Sequence, residues 1–245
     1  MHIKRPGLRF IYMMYHKKKV TIVMPAKNEA EGMNGILKTL APFASTIIVV
    51  DGHSTDRTME IARMAGAVCI SDHGIGRGKA VRLGLDLVKT EIAVVVDADG
   101  STDVFDIPAL IFPILQGRAD MVIGSRRTGG SLDLRLDFDG LLRLFGSDLL
   151  TFLINFHFHT RLTDAIYSFR AVRTSILPSL RLRADGHAIE QEMVVSCLKK
   201  GYTVLEIPSR EKARAWGVSK LDTLTGIKLL GALLVQLYGG RGGKK

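Results

Sequence analysis

The stretch Glu91-Ile-Ala-Val-Val-Val-Asp97-Ala-Asp99-Gly100 decides the fold expected of this chain. Its apolar, β-branched run predicts a buried strand of the kind found in parallel sheets that helices cover on both faces. The run ends in two carboxylates, and Gly100 then releases the chain. Ligands of open α/β sheets bind beyond the carboxyl ends of the strands, and Mg²⁺ prefers carboxylate oxygens. Asp97 and Asp99 are therefore candidates for a metal site, and the alternative is a strand end with polar turn residues.

Similar strand patterns alternate with helical patterns along the first half of the chain. Strands are predicted at 20–25, 46–51, 67–70, 92–97 and 120–124, and helices end near Leu40, Gly66, Val88 and Gln116. Ser54 and Asp106 are expected to cap the helices that follow them. Strands and helices that alternate at this spacing predict a mostly parallel sheet with right-handed crossover connections.

The regular alternation stops after Arg126. The second half predicts a helix over about 140–159, a helix over 187–200, a strand over 202–208, a basic loop over 210–220 and a last amphipathic helix to about Tyr238. We see no internal repeat and no linker that would separate two domains. The prediction is one α/β domain over 20–238, between a basic tail (1–19) and a flexible glycine-rich tail (239–245).

The charge of the chain bears on its partners. The 245 residues carry a formal net charge of +10, which favours nucleic acid, acidic lipid head groups or phosphorylated substrates. The alternative is a basic surface that only keeps the protein soluble. Proteins that bind single-stranded nucleic acid place aromatic rings among the cations, and only 7% of these residues are aromatic. We therefore expect no nucleic-acid partner.

Cysteine usage and hydropathy bear on location. Cys69 and Cys197 lie far apart in apolar surroundings, which predicts reduced core residues in a cytoplasmic protein. No apolar run reaches the roughly 18 residues that a membrane span needs. The basic and aromatic start over 2–19 is predicted to be a tail, and contact with lipid is the second interpretation.

The loop Gly74-Ile-Gly-Arg-Gly-Lys79 is rich in glycine but matches no nucleotide-binding consensus. Lys79 occupies the place of the third glycine of a dinucleotide fingerprint, and Ala80 follows where a P-loop has Ser or Thr. The backbone amides of the loop, with Arg77 and Lys79, are still candidates for holding a diphosphate at the helix start. A plain loop that begins a helix is about as well supported by the local sequence.

Two further carboxylates are candidates because of their positions. Asp51 ends the second predicted strand, so it should lie at the same sheet edge as Asp97 and accept from a base or a ribose. A lone Asp at a strand end is more often a turn residue. Glu190 shares a helical face with Val194 and Leu198. An unpaired buried charge is costly, so we expect Glu190 to have a partner or a function.

Two charged groups in the second half allow more than one interpretation. Asp164 and Arg170 are expected either to form an ion pair or to line a cleft. The basic loop over 210–220 carries Arg214, Lys220 and the single tryptophan, Trp216. A mobile cationic loop is a candidate lid that closes over a nucleoside diphosphate and stabilises the leaving charge. The alternative is a solvated basic loop.

Several short motifs stand in a characteristic order along the chain. They are Val23-Met-Pro25-Ala-Lys-Asn28-Glu29, Val49-Val-Asp51-Gly-His-Ser54-Thr-Asp56, Gly76-Arg-Gly78-Lys79, Asp97-Ala-Asp99, Gly124-Ser125-Arg126, Asp164-Ala-Ile-Tyr-Ser168-Phe-Arg170, Ile189-Glu190 and Arg214-Ala-Trp-Gly217-Val-Ser219-Lys220. This order resembles family 2 glycosyltransferases of the Rossmann-like GT-A fold. The second half resembles the branch of dolichyl-phosphate mannosyltransferase and the polyprenyl-phosphate glucosyltransferases, although Ser168 stands where that branch commonly has glycine. The resemblance covers about 20–225, with a donor-binding half over 20–126 and an acceptor half over 127–225.

The resemblance implies inverting transfer of a hexose from a nucleotide diphosphate sugar, of the GDP-mannose or UDP-glucose type, to a polyprenyl (dolichyl) phosphate. Asp97 and Asp99 would bind Mg²⁺ or Mn²⁺. The implied catalytic residues are Asp97, Asp99, Asp164, Glu190, Arg126 and Arg170, and the implied nucleotide-sugar-binding residues are Pro25, Asn28, Glu29, Asp51, Lys79, Asp97, Ala98, Arg214 and Lys220. Because a lipid phosphate is already an anion, metal and cations would supply most of the catalysis by neutralising the leaving diphosphate.

Other functions stay open at this point. A family 2 enzyme with a saccharide or other soluble acceptor would use Asp164 or Glu190 as a general base. A nucleotidyltransferase also uses Asp-x-Asp for its metal. A lipid acceptor predicts peripheral contact with the cytoplasmic membrane face through the 140–159 region, the last helix and the basic ends.

Overall fold

The structure is a computed structural model, and it describes residues 17–131, 138–213 and 223–239. The predicted tails lie almost entirely outside these ranges, over residues 1–16 and 240–245. Arg214, Trp216 and Lys220 of the predicted basic loop also lie outside the described residues. The division into a donor half and an acceptor half stays a prediction.

The observed elements lie close to the predicted positions. The strands are β1 (Val20–Ala26), β2 (Thr46–Asp51), β3 (Val68–Ser71), β4 (Ile92–Val95), β5 (Met121–Ser125), β6 (Arg170–Arg173) and β7 (Val204–Pro208). The α-helices are α1 (Ala30–Leu40), α2 (Thr58–Met64), α3 (Arg77–Asp86), α4 (Ile107–Leu115), α5 (Arg126–Gly129), α6 (Phe138–Phe158), α7 (Leu177–Leu180), α8 (Ile189–Lys199) and α9 (Thr223–Tyr238). Short 3₁₀ turns lie at Lys17–Lys19, Val104–Asp106 and Thr174–Ile176.

The strands form one mostly parallel sheet in the order β3-β2-β1-β4-β6-β5-β7. Only β6 runs antiparallel to its neighbours, which are β4 and β5. All residues of β4 are buried, as expected of a strand that helices cover on both faces. The predicted α/β class and the mostly parallel sheet are confirmed.

Sequence patterns did not predict strand β6 (Arg170–Arg173). It has only four residues, and its two ends are arginines. Strand prediction depends on apolar runs or on alternation over four to eight residues, and this segment offers neither. The pairing of Ala171 with both Val94 of β4 and Val122 of β5 forms this strand. Its existence is therefore a consequence of long-range contacts.

Helix α1 shows why the helices pack where they do. Met33, Ile36, Leu37 and Leu40 are all buried, and their spacing places them on one helical face. Helix α3 approaches the sheet even more closely. A Cβ atom at Gly84 would lie 2.3 Å from a methyl carbon of Val23 in β1. Glycine is therefore required there for close packing of helix on strand.

The predicted cap at Ser54 is wrong, whereas Asp106 occupies the predicted N-cap position without a capping hydrogen bond to its side chain. The hydroxyl of Ser54 accepts from the amide of Asn28, and helix α2 begins only at Thr58. The carboxylate of Asp56 accepts from the amide of Thr58 instead. Asp106 stands directly before α4 but makes no capping hydrogen bond with its side chain. Several polar residues in a row allow more than one cap, and the sequence does not distinguish among them.

Helices α6 and α9 pack against each other, and the rings of His157 and Tyr238 lie 5.3 Å apart. One side of α6 is buried, with Ile154 fully covered. The other exposes an apolar stripe with helical spacing, and α9 also exposes large apolar side chains. We call these residues the apolar face: Phe145, Leu149, Phe152 and Phe156 of α6, and Ile227, Leu234, Val235 and Tyr238 of α9. Within the described ranges, no helix is long and apolar enough to cross a membrane.

Candidate active site

A cavity of about 410 Å³ lies beyond the carboxyl ends of β1, β2 and β4. Strand β1 lies between the other two in the sheet, and its last residue, Ala26, pairs with Asp51 of β2. Parallel strands place their carboxyl ends at one edge, which is where ligands of such sheets bind. Of the predicted site residues, the cavity lining includes Pro25, Glu29, Asp97, Ala98, Asp99, Arg126 and Glu190.

The two carboxylates of the Asp-x-Asp motif are held in defined positions. The hydroxyl of Ser168 donates to Asp97 Oδ2 over 2.6 Å. Asp99 is buried, and its Oδ1 accepts from the amide and the hydroxyl of Ser101 at 3.0 and 2.7 Å. Gly100 adopts a φ of 73°, which lets the chain turn between the two aspartates and the following loop. Ser168, which stands where the resembled branch commonly has glycine, supplies this contact to Asp97.

Arg77 forms ion pairs with two carboxylates of the cavity, a role that its sequence position alone did not predict. Its Nη2 lies 2.6 Å from Asp97 Oδ1, and its Nε lies 2.6 Å from Glu190 Oε1. Burial alone would lower the pKa of Arg77, but the carboxylates of Asp97 and Glu190 raise it above its ordinary value. The guanidinium is thus a permanent cation between two carboxylates of the cavity wall. The sequence signal was present, since Arg77 begins the helix after the glycine loop.

Four backbone amides of the glycine loop donate hydrogen bonds to other parts of the chain. Two of its amides, those of Gly74 and Gly76, donate to the carboxylate of Asp72. The amides of Gly78 and Lys79 both donate to the carbonyl of Asp185, at 2.7 and 3.1 Å. These four amides are already paired within the protein, so they do not support the diphosphate hypothesis, which stays a prediction; Lys79 is not part of the cavity lining.

Asp164 and Arg126 form a second ion pair near the cavity. Arg126 donates from Nε and Nη2 to the two oxygens of Asp164, at 2.6 and 3.0 Å. Its guanidinium lies over the ring of Tyr167, 4.7 Å from the centroid, and 3.6 Å from a carboxylate oxygen of Glu211. Asp164 is completely buried, so the structure places it behind Arg126 and not on the cavity wall. The predicted ion pair between Asp164 and Arg170 is wrong.

Arg170 lies in β6 and is 1% exposed. Its guanidinium donates to the backbone carbonyl of Glu190 over 2.6 Å and to that of Tyr167. Burial lowers the pKa of Arg170 to about 10. This placement connects the strand to the start of α8, and Arg170 does not line the cavity, whereas the alternative of a cleft residue had predicted that it would.

The expected nucleoside side of the cavity is formed by Pro25 and Glu29. Asp51 and Asn28 support this side from behind. The carboxylate of Asp51 accepts from the amide of Ser54 at 3.1 and 3.2 Å. Asn28 adopts a φ of 56°, and its side-chain oxygen accepts from the amide of Thr55 over 2.8 Å. These hydrogen bonds hold the β1 end and the β2 end together.

Tyr167 adds a buried hydroxyl to the cavity wall. The residue is only 3% exposed, and burial raises the pKa of Tyr167 well above its ordinary value. The phenol is therefore neutral throughout the physiological range.

The residues present fit a divalent cation that shares its ligands with a substrate. Among the described residues, no group of three or more His, Cys, Asp and Glu side chains forms a metal-binding cluster. Asp97 and Asp99 supply two hard carboxylates at an open cavity. Mg²⁺ characteristically takes one or two carboxylates and completes its shell with water and substrate phosphates.

Solved structures of similar proteins identify the fold of this domain. Glucosyl-3-phosphoglycerate synthase from Mycobacterium tuberculosis, solved with Mn²⁺, UDP and glucosyl-3-phosphoglycerate, matches with a TM-score of 0.74 and 21% identity. The match covers 96% of this chain and 86% of that one. The domain therefore has the GT-A fold of glycosyltransferases.

Sequence comparison then assigns the family. Residues 21–181 match the family described as glycosyl transferase family 2. Glycosyltransferase AglJ of Haloferax volcanii is 30% identical over 222 residues, which are 89% of this chain and 71% of that protein. The dolichyl-phosphate hexose transferase of the same organism is 28% identical over 222 residues, covering 89% of this chain and 93% of that protein. The chain belongs to glycosyl transferase family 2 and is a glycosyltransferase, which confirms the expectation from its motifs.

Proposed function

We propose that this glycosyltransferase transfers a hexose, with inversion, from a nucleotide diphosphate sugar to a polyprenyl phosphate at the cytoplasmic face of a membrane. The observation that supports the proposal most directly is that helix α9 contributes residues both to the cavity wall and to the apolar face. Leu229 lines the cavity, whereas Ile227 and Val235 on the same helix are 66% and 69% exposed. An acceptor that is anionic at one end and apolar along its length matches this combination.

The donor half of the proposal depends on the Asp-x-Asp cavity. Asp97 and Asp99 would hold Mg²⁺ or Mn²⁺, and the bound metal supplies charge neutralisation for the leaving diphosphate. Ser168 fixes the orientation of Asp97, as Ser101 does for Asp99. Pro25 and Glu29 are proposed to contact the nucleoside. The roles of Arg214 and Lys220, which lie outside the described residues, stay predictions.

The chemistry of a phosphate acceptor requires no general base. A phosphate oxygen attacks the anomeric carbon, the bond from sugar to diphosphate breaks, and the charge ends on the nucleoside diphosphate. A phosphate anion has no proton to lose, so the burial of Asp164 behind Arg126 does not prevent the reaction. The relative that is named a dolichyl-phosphate hexose transferase supports an acceptor of this class.

A second candidate is transfer to a soluble acceptor. The observation in its favour is Glu190, whose carboxylate lines the cavity 2.6 Å from Arg77 and is placed to act as a general base toward a hydroxyl. The structural neighbour from M. tuberculosis was solved with a soluble phosphorylated product. The two candidates predict different products from the same donor.

The test begins with the donor. A thermal-shift screen of GDP-mannose, UDP-glucose and other nucleotide sugars, each with Mn²⁺, should find one donor that raises the unfolding temperature most. That donor, labelled in its sugar, is then incubated with a polyprenyl phosphate. Label that moves into the organic phase supports the lipid acceptor, and label that stays in water with an added soluble acceptor supports the second candidate. No stabilisation by any nucleotide sugar with Mn²⁺ would contradict both.

The apolar face gives the proposal a test that needs no substrate. We expect the protein to float with anionic vesicles, because exposed aromatic side chains insert at the lipid boundary and the net positive charge adds attraction. The double variant Phe152→Ser and Phe156→Ser should lose most of this binding. Met64→Ser is the matched control, since Met64 is 78% exposed on helix α2, outside the apolar face. Equal flotation of all three proteins would count against the membrane contact.

A further inference from the structure

We infer that Arg77 is an internal counterion for the metal-binding carboxylate Asp97, and that the donor's diphosphate draws it away when metal and donor bind. The inference rests on the proposed function, in which Asp97 and Asp99 bind the divalent cation. It adds a binding order: metal alone binds weakly, and metal together with a nucleoside diphosphate binds well.

The first observation is that a cation already contacts the carboxylate of Asp97. Arg77 Nη2 lies 2.6 Å from Asp97 Oδ1, and Ser168 donates to Oδ2 over 2.6 Å. Both oxygens of this carboxylate are therefore engaged. A divalent cation that approaches Asp97 must displace the guanidinium or bind close to it. Like charges in a partly buried site repel strongly, so Arg77 lowers the affinity for metal alone.

The second observation is that Arg77 also forms an ion pair with Glu190, which can persist when the contact to Asp97 breaks. The Nε of Arg77 lies 2.6 Å from Glu190 Oε1, and Glu190 also lines the cavity. The guanidinium can rotate about this contact, away from Asp97 and toward a ligand in the cavity. Arginine forms strong paired hydrogen bonds with phosphate oxygens, so a diphosphate is the ligand best suited to draw it over.

The third observation is that the backbone that carries Arg77 is fixed, so the movement belongs to the side chain. Arg77 is the first residue of α3, and the next two amides donate to the carbonyl of Asp185. A Cβ atom at Gly78 would lie 2.3 Å from the carbonyl oxygen of Ala184. The helix start is thus packed tightly against the segment that leads to Glu190.

The charge balance explains why metal and donor should bind together. Asp97, Asp99 and Glu190 line the cavity, and Arg77 pairs with Asp97 and Glu190. A diphosphate that arrives without metal meets these carboxylates, and a metal that arrives without diphosphate meets Arg77. When both arrive, the metal neutralises the aspartates and the guanidinium moves to the phosphates. Each ligand removes the obstacle to the other, which is positive coupling in both directions.

The test measures Mn²⁺ binding from the paramagnetic resonance signal of free Mn²⁺, first alone and then with saturating UDP or GDP. Wild type should bind Mn²⁺ weakly alone and at least about tenfold more tightly with the nucleotide, a coupling within the usual range for linked sites. Arg77→Gln should bind Mn²⁺ alone about tenfold or more tightly than wild type, and nucleotide should then add little. Arg77→Lys, which keeps the charge on a shorter contact, should lie between the two.

Control variants separate the possible outcomes. Arg57→Gln removes the same charge from an exposed pair with Glu60, and it should bind Mn²⁺ like wild type. Asp97→Asn should abolish Mn²⁺ binding under all conditions. If Arg77→Gln binds Mn²⁺ alone no better than wild type while Asp97→Asn loses it, Arg77 only positions Asp97 and the inference is overturned. If wild type binds no Mn²⁺ even with UDP or GDP, the proposed metal-dependent function fails together with the inference.

Discussion

Substitution of Gly78 by alanine tests the contact that brings Arg77 and Glu190 to the same cavity. A methyl group at this position would lie 2.3 Å from the carbonyl oxygen of Ala184 and 2.6 Å from that of Gly186. An ordinary contact needs about 3.4 Å or more, so the helix start must move away by about 1 Å. Such a shift weakens the two hydrogen bonds from the amides of Gly78 and Lys79 to Asp185.

The cost can be worked out from these contacts. Forced overpacking costs about 1–3 kcal/mol, and two weakened hydrogen bonds add about 1 kcal/mol each. Alanine stabilises a helix by up to about 1 kcal/mol relative to glycine, which offsets part of this cost. We therefore expect Gly78→Ala to lower the free energy of unfolding by about 2–4 kcal/mol and the unfolding temperature by roughly 4–16 °C. Because Arg77 would be misplaced by about 1 Å, we also expect transferase activity to fall by roughly 100-fold.

Urea denaturation and a sugar-transfer assay measure the two effects. The matched control is Gly35→Ala, since Gly35 also lies in a helix but has no atom within 4 Å of its would-be Cβ. That variant should be as stable as wild type or up to about 1 kcal/mol more stable, with unchanged activity. If Gly78→Ala unfolds within about 0.5 kcal/mol of wild type and remains fully active, the close packing of α3 on residues 184–186 is refuted.

Three further predictions concern single side chains. Asp99→Asn should reduce sugar transfer by roughly 100-fold or more with little change in unfolding temperature, because it removes a carboxylate proposed to hold the metal; activity within threefold of wild type would contradict that role. Tyr167→Phe tests the raised pKa of the buried phenol: the unfolded tyrosine ionises near pH 10 and the folded one only above it, so wild type should lose stability between about pH 10 and 11. The variant should lose less over the same range in urea titrations, and parallel losses would refute the burial argument. Asp56→Ala should cost about 1 kcal/mol in unfolding free energy at pH 7, since its carboxylate accepts from the amide and hydroxyl of Thr58. Burial opposes the shift, but these hydrogen bonds lower the pKa of Asp56, so its contribution should begin to decline as the pH falls below about 4 and be lost as the pH passes through the lowered pKa. A stability difference that grows as the pH falls below about 4 would contradict the assignment.

The local pattern of the sequence was sufficient for the fold class and for the metal-binding candidates. Apolar runs that end in Asp51 and in Asp97 identify two strand ends, and parallel strands must place those ends at one edge of the sheet. The cavity beside Pro25, Asp97 and Asp99 follows from this rule. Family motifs then pointed to the glycosyltransferase class, which the comparisons confirmed.

Only the tertiary structure decided which charged side chains meet. Arg77 and Glu190 are 113 residues apart in the sequence. Asp164 pairs with Arg126, although Arg170 is nearer in the sequence. Strand β6 forms because β4 and β5 present free edges between which Arg170–Arg173 fits. Periodicity reports which face of an element is buried, because burial follows from local spacing. Periodicity does not predict which side chains pair across the cavity, because that pairing depends on how elements distant in the sequence pack together.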